Sequence, residues 1–295
     1  MDLLALKTYI NDHRHSIAFI IGNGINRFNN SAGLSWDALL VHLWHRVTTE
    51  TLQIRPNGIS VTEFYDVLEL LNNNQEVDLH KEVANLLGGW TPLIHHQHVV
   101  NKIKEWNAPI LTTNYDETLR ETGNFQLFHL KWTNDFYPWS SYHGSLALAN
   151  PLSGFGIWYI NGLRKYHRSI RLGLSDYMGS VERARRLIHS GDDRLFNGKA
   201  QYHWKGRNTW LHIIFNKSLI IFGLGLEENE TFLRWLLIER KRYFKEFQDR
   251  SFLGWYMHVN ERGTISSGKR LFLESVGIEV IEVDTDLRLY SYLWE

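Results

Sequence analysis

A short polar motif stands out because it directly follows an apolar run. Residues 111–116 are Leu-Thr-Thr-Asn-Tyr-Asp, and residues 108–110 before them are Ala-Pro-Ile. An apolar strand that ends in hydroxyl, amide and carboxylate groups delivers them to a site at its carboxyl end. Thr113, Asn114 and Asp116 are therefore candidate substrate contacts. A structural alternative stays open, because Asn and Asp also cap helices and a helix near Asp116 would use them in that way.

Two short glycine turns follow other apolar runs of the chain. Gly22-Asn23-Gly24 comes after residues 16–21, and Gly223-Leu224-Gly225 comes after residues 218–222. Glycine lets the backbone approach a phosphate closely, and backbone amides at a strand-to-helix turn attract its charge. One such turn is common in α/β proteins, but two at strand ends of the same sheet could frame a dinucleotide.

These motifs need a sheet that brings them to one edge. Continuous apolar runs predict buried strands at 16–21, 108–113, 218–222, 253–259 and 278–283, and shorter strands at 157–160 and 169–172. Helical patterns lie between most of them. Apolar strands that alternate with helices indicate the α/β class, with a Rossmann-like parallel sheet covered by helices on both faces. We expect residues 1–295 to form a single domain.

Two regions do not fit a simple alternation of strands and helices. Ser35 is a predicted N-cap, and helical patterns from there to residue 105 exceed what one crossover requires, so we expect a helical insertion at about 45–100. Residues 125–158 are rich in aromatic residues, proline and glycine without clear periodicity. Long ordered loops of this kind are commonly lids or binding loops, so this region is a predicted lid.

The composition excludes several classes of function. Lys plus Arg and Asp plus Glu number 32 each, which makes nucleic acid or an anionic membrane an unexpected partner. Cysteine is absent, so disulfides and thiolate zinc sites are excluded. His42 with His45 and His95 with His98 have helical spacing but no complete ligand set, so we predict no metal site. No leader or membrane span is evident, which favours a cytoplasmic protein.

The order and spacing of the motifs resemble the sirtuin-like NAD-binding family from Ile17 to about Asp284. That family has a Gly-Ala-Gly turn, then Thr-x-Asn-x-Asp, a His-Gly pair, a Gly-rich turn and an Asn-x-Glu strand end. Residues 113–116 match the second motif well. The resemblance assigns Asn114 and Asp116 to the nicotinamide-ribose end of NAD.

The same resemblance implies which residues contact the rest of NAD. Asparagines stand at the middle and last positions of the first turn, where the family has a small residue and a serine, and pyrophosphate contact through the backbone is still expected. The second turn is expected at the second phosphate and ribose, and a later strand end at the adenosine ribose. The implied cofactor-binding residues are Gly22, Asn23, Gly24, Asn26, Thr113, Gly223, Gly225 and Asn260.

The main departure concerns the histidine that serves this family as general base. Asn161 of Asn161-Gly162 is the best local match, and an amide cannot accept a proton at neutral pH as imidazole does. Three explanations stay open. Another histidine serves, with His143 and His167 as candidates; or water is activated without a histidine; or the site is inactive.

The resemblance implies that NAD is the substrate. Usual deacylases of the family carry a four-cysteine zinc module, which a chain without cysteine cannot form. We therefore expect hydrolysis of the nicotinamide-ribose bond to nicotinamide and ADP-ribose, as in bacterial sirtuin-like proteins that deplete NAD in antiphage defence. The alternative is an inactive NAD or ADP-ribose binding subunit of a larger complex. Homo-oligomerisation or a partner protein is expected to control activity.

Overall fold

The computed structural model describes residues 2–30, 34–72, 76–132, 136–197 and 201–295. Within them, eight strands form one sheet in the order β3-β4-β5-β2-β1-β6-β7-β8. The strands are β1 (Ile17–Ile21), β2 (Ile110–Thr112), β3 (Gln126–His129), β4 (Ser141–Gly144), β5 (Ile157–Tyr159), β6 (Ser218–Phe222), β7 (Gly254–Val259) and β8 (Glu279–Val283).

Six of these strands form a continuous parallel sheet. The order β5-β2-β1-β6-β7-β8 is paired in parallel throughout, and β3 and β4 extend one side as an antiparallel hairpin. Numbered along the chain, the six parallel strands have the order 3-2-1-4-5-6, which is the Rossmann order. The predicted α/β, Rossmann-like fold is confirmed. The strand order reverses between β1 and β6, and a crevice forms there at the carboxyl ends.

Helices cover both faces of the sheet. They are α1 (Leu3–His13), α2 (Gly24–Arg27), α3 (Trp36–Val47), α4 (Val61–Leu71), α5 (Leu79–Leu86), α6 (Ile94–Glu105), α7 (Thr118–Glu121), α8 (Leu174–His189), α9 (Leu211–Asn216), α10 (Thr231–Glu246), α11 (Ser267–Ser275) and α12 (Asp286–Tyr290). Helices α8 to α11 pack on one face, and α1, α6, α7 and α12 pack on the other. None of the described helices is long and apolar enough to cross a membrane.

Strand β1 shows why its sequence is apolar without alternation. Ala18 and Ile20 pack into the core beneath α8 to α11, whereas Ile17, Phe19 and Ile21 pack into the opposite core. All five side chains have no exposed surface. A strand buried on both faces needs this continuous run, because neither face meets water.

Helices α3, α4 and α5 form a separate small core that stands over one end of the sheet. Ser35 caps α3, as predicted, by accepting a hydrogen bond from the Ala38 amide at 3.1 Å. This core begins at α3 and ends before α6, which packs against β1 and β2 instead. The bounds of about 45–100 expected for the insertion therefore cut through α3 and α6. Residues 73–75 of that range lie outside the described residues.

Two expectations about the second half of the chain need correction. The predicted strand at 169–172 is absent, because Ile170 and Leu172 are buried in the core of α3 to α5 without a strand beside them. The predicted loop at 125–158 contains the β3–β4 hairpin, which pairs residues 126–129 with 141–144. Most of its aromatic side chains are buried in the core, whereas Trp132 and Phe136 are exposed. Residues 133–135 of this region lie outside the described residues.

Candidate functional site

A cavity of about 250 Å³ opens at the carboxyl ends of the parallel strands, where the strand order reverses. Turns after five strands contribute to it, and the helical insertion covers it. The lining residues include Asn23, Gly24 and Arg27 after β1; Thr113, Asn114, Tyr115 and Asp116 after β2; Asn161 after β5; Gly223, Gly225 and Glu230 after β6; Arg262 after β7; and Ser35, Trp36 and Trp90 of the insertion. The crevice of a Rossmann-like sheet is the place where ligands bind.

Asn114 is the most unusual residue of the cavity. Only 5% of it is exposed, yet neither its side-chain oxygen nor its nitrogen has a hydrogen-bond partner among the described residues. Its backbone is fixed, because its amide donates to the Thr112 hydroxyl at 3.1 Å. A buried amide without partners costs about 1–3 kcal/mol. Such a group is expected to be retained where a ligand or water completes its hydrogen bonds.

In contrast to Asn114, Asp116 has hydrogen-bond partners for both of its side-chain oxygens. One carboxylate oxygen accepts from the Thr118 amide at 2.9 Å, and the other accepts from the Asn26 side chain at 2.8 Å. Burial raises the pKa of Asp116, and the hydrogen bonds from Thr118 and Asn26 oppose this increase. Asp116 therefore starts α7 and ties the turn after β2 to the turn after β1. The N-cap position itself is Glu117, which forms no side-chain cap hydrogen bond, so Asp116 supports the start of α7 from the residue before the cap.

Asn26 connects Asp116 to a histidine that the sequence did not indicate. Its oxygen accepts from Nε2 of His96 at 3.0 Å. Nδ1 of His96 accepts from the Leu93 amide at 3.0 Å, so Nε2 carries the proton of a neutral imidazole. Burial lowers the pKa of His96 to about 3, which agrees with the neutral form. A series of hydrogen bonds from His96 through Asn26 to Asp116 thus holds Asp116 in place at the cavity.

The two glycine turns pack directly against each other. The Gly24 amide donates to the carbonyl of Gly223 at 2.5 Å, and Gly223 has a φ of +73°. A Cβ on Gly22 would lie 2.4 Å from the Leu224 Cβ, and one on Gly24 would lie 2.8 Å from the Gly223 Cα. The glycines are therefore required for contact between the turns. The Gly24 amide is already used inside the protein, which weakens its predicted role toward a phosphate.

Asn161 lies beside the Asn114 turn, because β5 and β2 are neighbours. It is 4% exposed, and its side-chain nitrogen is 3.5 Å from the carbonyl of Thr113. Its own carbonyl accepts from the Arg171 amide at 2.8 Å. Asn161 and Thr113 thus both line the cavity, as predicted for site residues, and Asn161 is placed to offer an amide.

The two histidines predicted as alternative bases do not line the cavity. His143 lies on β4, opposite Ile157 of β5, with its ring edge-on to Tyr159 at 5.5 Å. Burial lowers its pKa to about 3. His167 is partly exposed, with Nε2 3.6 Å from a carboxylate oxygen of Asp78. Neither lines this cavity, which counts against the explanation that one of them replaces the family histidine.

Two arginines, Arg27 and Arg262, line the cavity and give it positive charge. Asn260, predicted for the adenosine ribose, is exposed after β7 and does not line the cavity, whereas Arg262 does. Arg262 is held by two hydrogen bonds to Asp286, at 2.8 and 3.2 Å. Arg27 is exposed at the end of α2, and no described residue forms a hydrogen bond or ion pair with its guanidinium. Arg27 is therefore available to an anionic ligand.

The helical insertion, and not the aromatic region at 125–158, covers the cavity. Trp36 and Trp90 of the insertion line it, and Trp36 contacts Tyr115 edge-on at 5.5 Å. No lining residue comes from the described parts of 125–158, which are 125–132 and 136–158. The predicted lid is thus corrected: most of its aromatic residues are buried in the core, Trp132 and Phe136 are exposed but do not line the cavity, and the insertion provides the indole surfaces.

Glu230 is a second residue that the sequence did not indicate. It lines the cavity as the last residue before α10 and is half-buried. Burial raises its pKa to about 7, and the nearby Glu227 carboxylate adds to the increase. No described residue donates a hydrogen bond to its carboxylate. Within the described residues no group of three or more possible metal ligands is found, at this site or elsewhere.

Comparison of the chain with protein-family models gives no match, and neither does comparison with curated proteins. The geometry of the cavity and the order of its motifs are therefore the basis for assigning a function.

Proposed function

We propose that this cavity binds NAD and hydrolyses the bond between nicotinamide and ribose, releasing nicotinamide and ADP-ribose. One observation supports the proposal above the others. Asn114 presents a buried amide, without a hydrogen-bond partner among the described residues, to a cavity at the point where Rossmann-like sheets bind dinucleotides. The ligand that completes its hydrogen bonds must offer both donors and acceptors. Ribose hydroxyls and an attacking water both meet this requirement.

The surroundings of Asn114 suit the nicotinamide end of the substrate. Cleavage of the nicotinamide-ribose bond develops positive charge on the sugar, which oriented dipoles in a water-poor site stabilise. Asn161 supplies a second amide next to Asn114, and Trp36 supplies an aromatic surface. The cavity of about 250 Å³ is at the small end for ligand sites, which commonly measure about 300–1,000 Å³. It therefore holds one end of the dinucleotide, and the remainder extends outward.

The outer part of the site suits the pyrophosphate. Arg27 is exposed and its guanidinium pairs with none of the residues that the structure describes, and guanidinium groups bind phosphate oxygens in a bidentate manner. Arg262 lies at the same cavity but is already held by Asp286. We assign the main pyrophosphate contact to Arg27. The glycine turns around Gly24 and Gly223 provide the space for its approach.

The proposed class is a zinc-free, sirtuin-like NAD hydrolase. The order of the turn after β1, residues 113–116 and the turn after β6 supports it, because the fold places these three segments around one cavity. A role in antiphage defence through NAD depletion follows from the resemblance. Control by homo-oligomerisation or by a partner protein belongs to the same proposal. Light scattering with and without NAD checks it, and a monomer that is active at every concentration would count against it.

A catalytically inactive NAD or ADP-ribose binding subunit is the second candidate. It is favoured by one specific observation: none of the cavity-lining residues in the described part of the chain is a histidine. Incubating purified protein with NAD and following free nicotinamide by chromatography distinguishes the two. Release of nicotinamide in step with ADP-ribose supports the hydrolase. NAD binding by calorimetry without any release supports the binding subunit.

A further inference from the structure

Only two carboxylates are among the residues that line the cavity in the described part of the chain, Asp116 and Glu230. They differ in what their oxygens do. Both oxygens of Asp116 accept hydrogen bonds, from Thr118 and from Asn26. The carboxylate of Glu230 accepts no hydrogen bond from any described residue, and Glu230 lines the cavity. Glu230 is therefore the only one of the two whose oxygens are free to take a proton from a bound molecule.

The backbone around Glu230 holds this carboxylate in place. The turn after β6 contains Gly223 at a φ of +73° and Leu226 at a φ of +50°. Arg234, one turn into α10, donates to the Leu226 carbonyl at 2.9 Å. The Glu230 amide donates to the Glu227 carbonyl at 3.0 Å, and α10 starts at the next residue. Glu230 is thus fixed by a helix start, which is a rigid support for a reacting group.

The reaction proposed above needs a base but no acid. When the bond between C1′ and the ring nitrogen breaks, the electron pair stays on that nitrogen, and nicotinamide leaves as a neutral molecule. Water then forms the new bond to C1′ and must lose one proton. A carboxylate accepts this proton and later releases it to solvent. A group with a pKa near the working pH serves best in this role.

We infer that Glu230 is the general base that takes the proton from the attacking water. It would serve in place of the family histidine, whose position Asn161 occupies. This inference rests on the proposed NAD hydrolysis. Water is placed by Asn114, its proton passes to a Glu230 oxygen, and its oxygen bonds to C1′. The products are nicotinamide, ADP-ribose and one proton, so atoms and charge balance. A free carboxylate also stabilises the positive charge that develops on the ribose.

The environment of Glu230 sets the expected pH dependence. The titratable and charged groups around it are Glu227 on its own turn, Tyr115 after β2, Tyr177 on α8, and Arg27, Asp116 and Arg262 around the cavity. Tyr115 donates to the Arg171 carbonyl at 2.6 Å, and burial raises its pKa, so it does not compete as a base. Activity therefore falls as the pH drops below about 7, where Glu230 gains a proton.

The test compares Glu230→Gln with wild-type protein by following nicotinamide release between pH 5 and 9. We expect kcat to fall by about 10²–10⁴-fold, with NAD binding retained and the acid limb of the profile lost. Glu227→Gln is the matched control, because Glu227 is an exposed carboxylate on the same turn that pairs with Lys269 outside the cavity. It should keep the activity at pH 8 and shift the acid limb to lower pH.

Three outcomes would overturn the inference, and they separate it from the proposed function. Wild-type activity with unchanged kcat and pH profile in Glu230→Gln would leave NAD hydrolysis standing and exclude Glu230 as base. Loss of NAD binding together with turnover in Glu230→Gln would make it a binding residue. NAD binding without nicotinamide release by the wild-type protein would overturn both proposals together.

Discussion

At the residue scale, the motif of residues 113–116 combines one buried residue without side-chain hydrogen bonds and one that is fully hydrogen-bonded. Asn114 has a buried side chain whose polar atoms bind nothing in the described protein, whereas Asp116 is fully hydrogen-bonded. Both positions match the same family motif, and both could have been helix caps. Only the structure distinguishes them, because the distinction depends on Asn26, which is 90 residues away in the sequence.

Stability measurements should separate these two residues. Asn114→Ala removes two unsatisfied polar atoms, so we expect the free energy of unfolding to stay constant or rise by up to about 1 kcal/mol. Asp116→Ala removes the hydrogen bonds to Thr118 and Asn26, so we expect a loss of about 1–3 kcal/mol. Urea denaturation checks both. A large destabilisation by Asn114→Ala would show that Asn114 has a structural role.

Glu230 should also change stability with pH in a defined direction. Its pKa is about 7 when folded and near its ordinary 4.5 when unfolded, so the folded state holds the proton more tightly. Stability from this group is present below pH 4.5 and is lost as the pH rises through 7. Glu230→Gln should therefore be more stable than wild type at pH 8, by up to about 3 kcal/mol, and nearly equal at pH 4.5. Equal stability at both pH values would show that Glu230 is well solvated.

At the element scale, the packing of the two glycine turns is the feature on which the cavity depends. Gly24 lies against Gly223 and the Tyr290 hydroxyl, and a Cβ there would come within 2.6 Å of that oxygen. The turns after β1 and β6 meet because the strands are neighbours at the reversal of strand order. The glycines in these turns are therefore required mainly for contact between the two backbones, and only secondarily for contact with a ligand.

Gly24→Ala should destabilise the fold by about 1–3 kcal/mol, because a buried overlap with backbone atoms has no flexible partner that can move. Gly268→Ala is the control, since a Cβ at that helical position meets nothing within 4 Å. It should be neutral or slightly stabilising, because alanine favours helices. Thermal unfolding of both variants measures the difference. An equally stable Gly24→Ala protein would contradict the packing described here.

The sequence predicted those elements whose signals are local. The continuous apolar runs of β1 and β6 and the Ser35 cap come from contacts that any parallel strand or helix start requires. The β3–β4 hairpin escaped prediction because each of its strands is only four residues long and neither alternates between buried and exposed side chains. Glu230 and His96 escaped because a glutamate before a helix and a histidine within one are ordinary features. Their importance arises from distant segments that meet at the cavity.

At the scale of the whole molecule, the site lies between the sheet and the insertion of α3 to α5. The sheet supplies Asn114, Asn161 and the glycine turns, and the insertion supplies Trp36 and Trp90. Movement of the insertion relative to the sheet edge would open or close this site. Under the proposed function, this separately packed group of helices is where we expect a second protein to act on the cavity.

Acid should destabilise the whole molecule through buried histidines. Burial lowers the pKa of His96 and His143 to about 3 and that of His212 to about 4. Below pH 6.5 these histidines gain protons in the unfolded chain but stay neutral in the folded state. The free energy of unfolding therefore falls as the pH decreases toward 4. Each histidine contributes up to about 3 kcal/mol by pH 4. Thermal unfolding across this range checks the trend, and His143→Gln should reduce its steepness; a flat profile would contradict it.

The most direct test of the central claim is nicotinamide release from NAD by wild-type protein and by Asn114→Ala, with NAD affinity measured on the same samples. Asn101→Ala is the matched control, because Asn101 is an exposed asparagine on α6 away from the cavity. We expect release by wild type and Asn101→Ala, and a loss of at least about 100-fold in Asn114→Ala with binding largely kept. Full activity in Asn114→Ala, or no NAD binding by the wild-type protein, would contradict it.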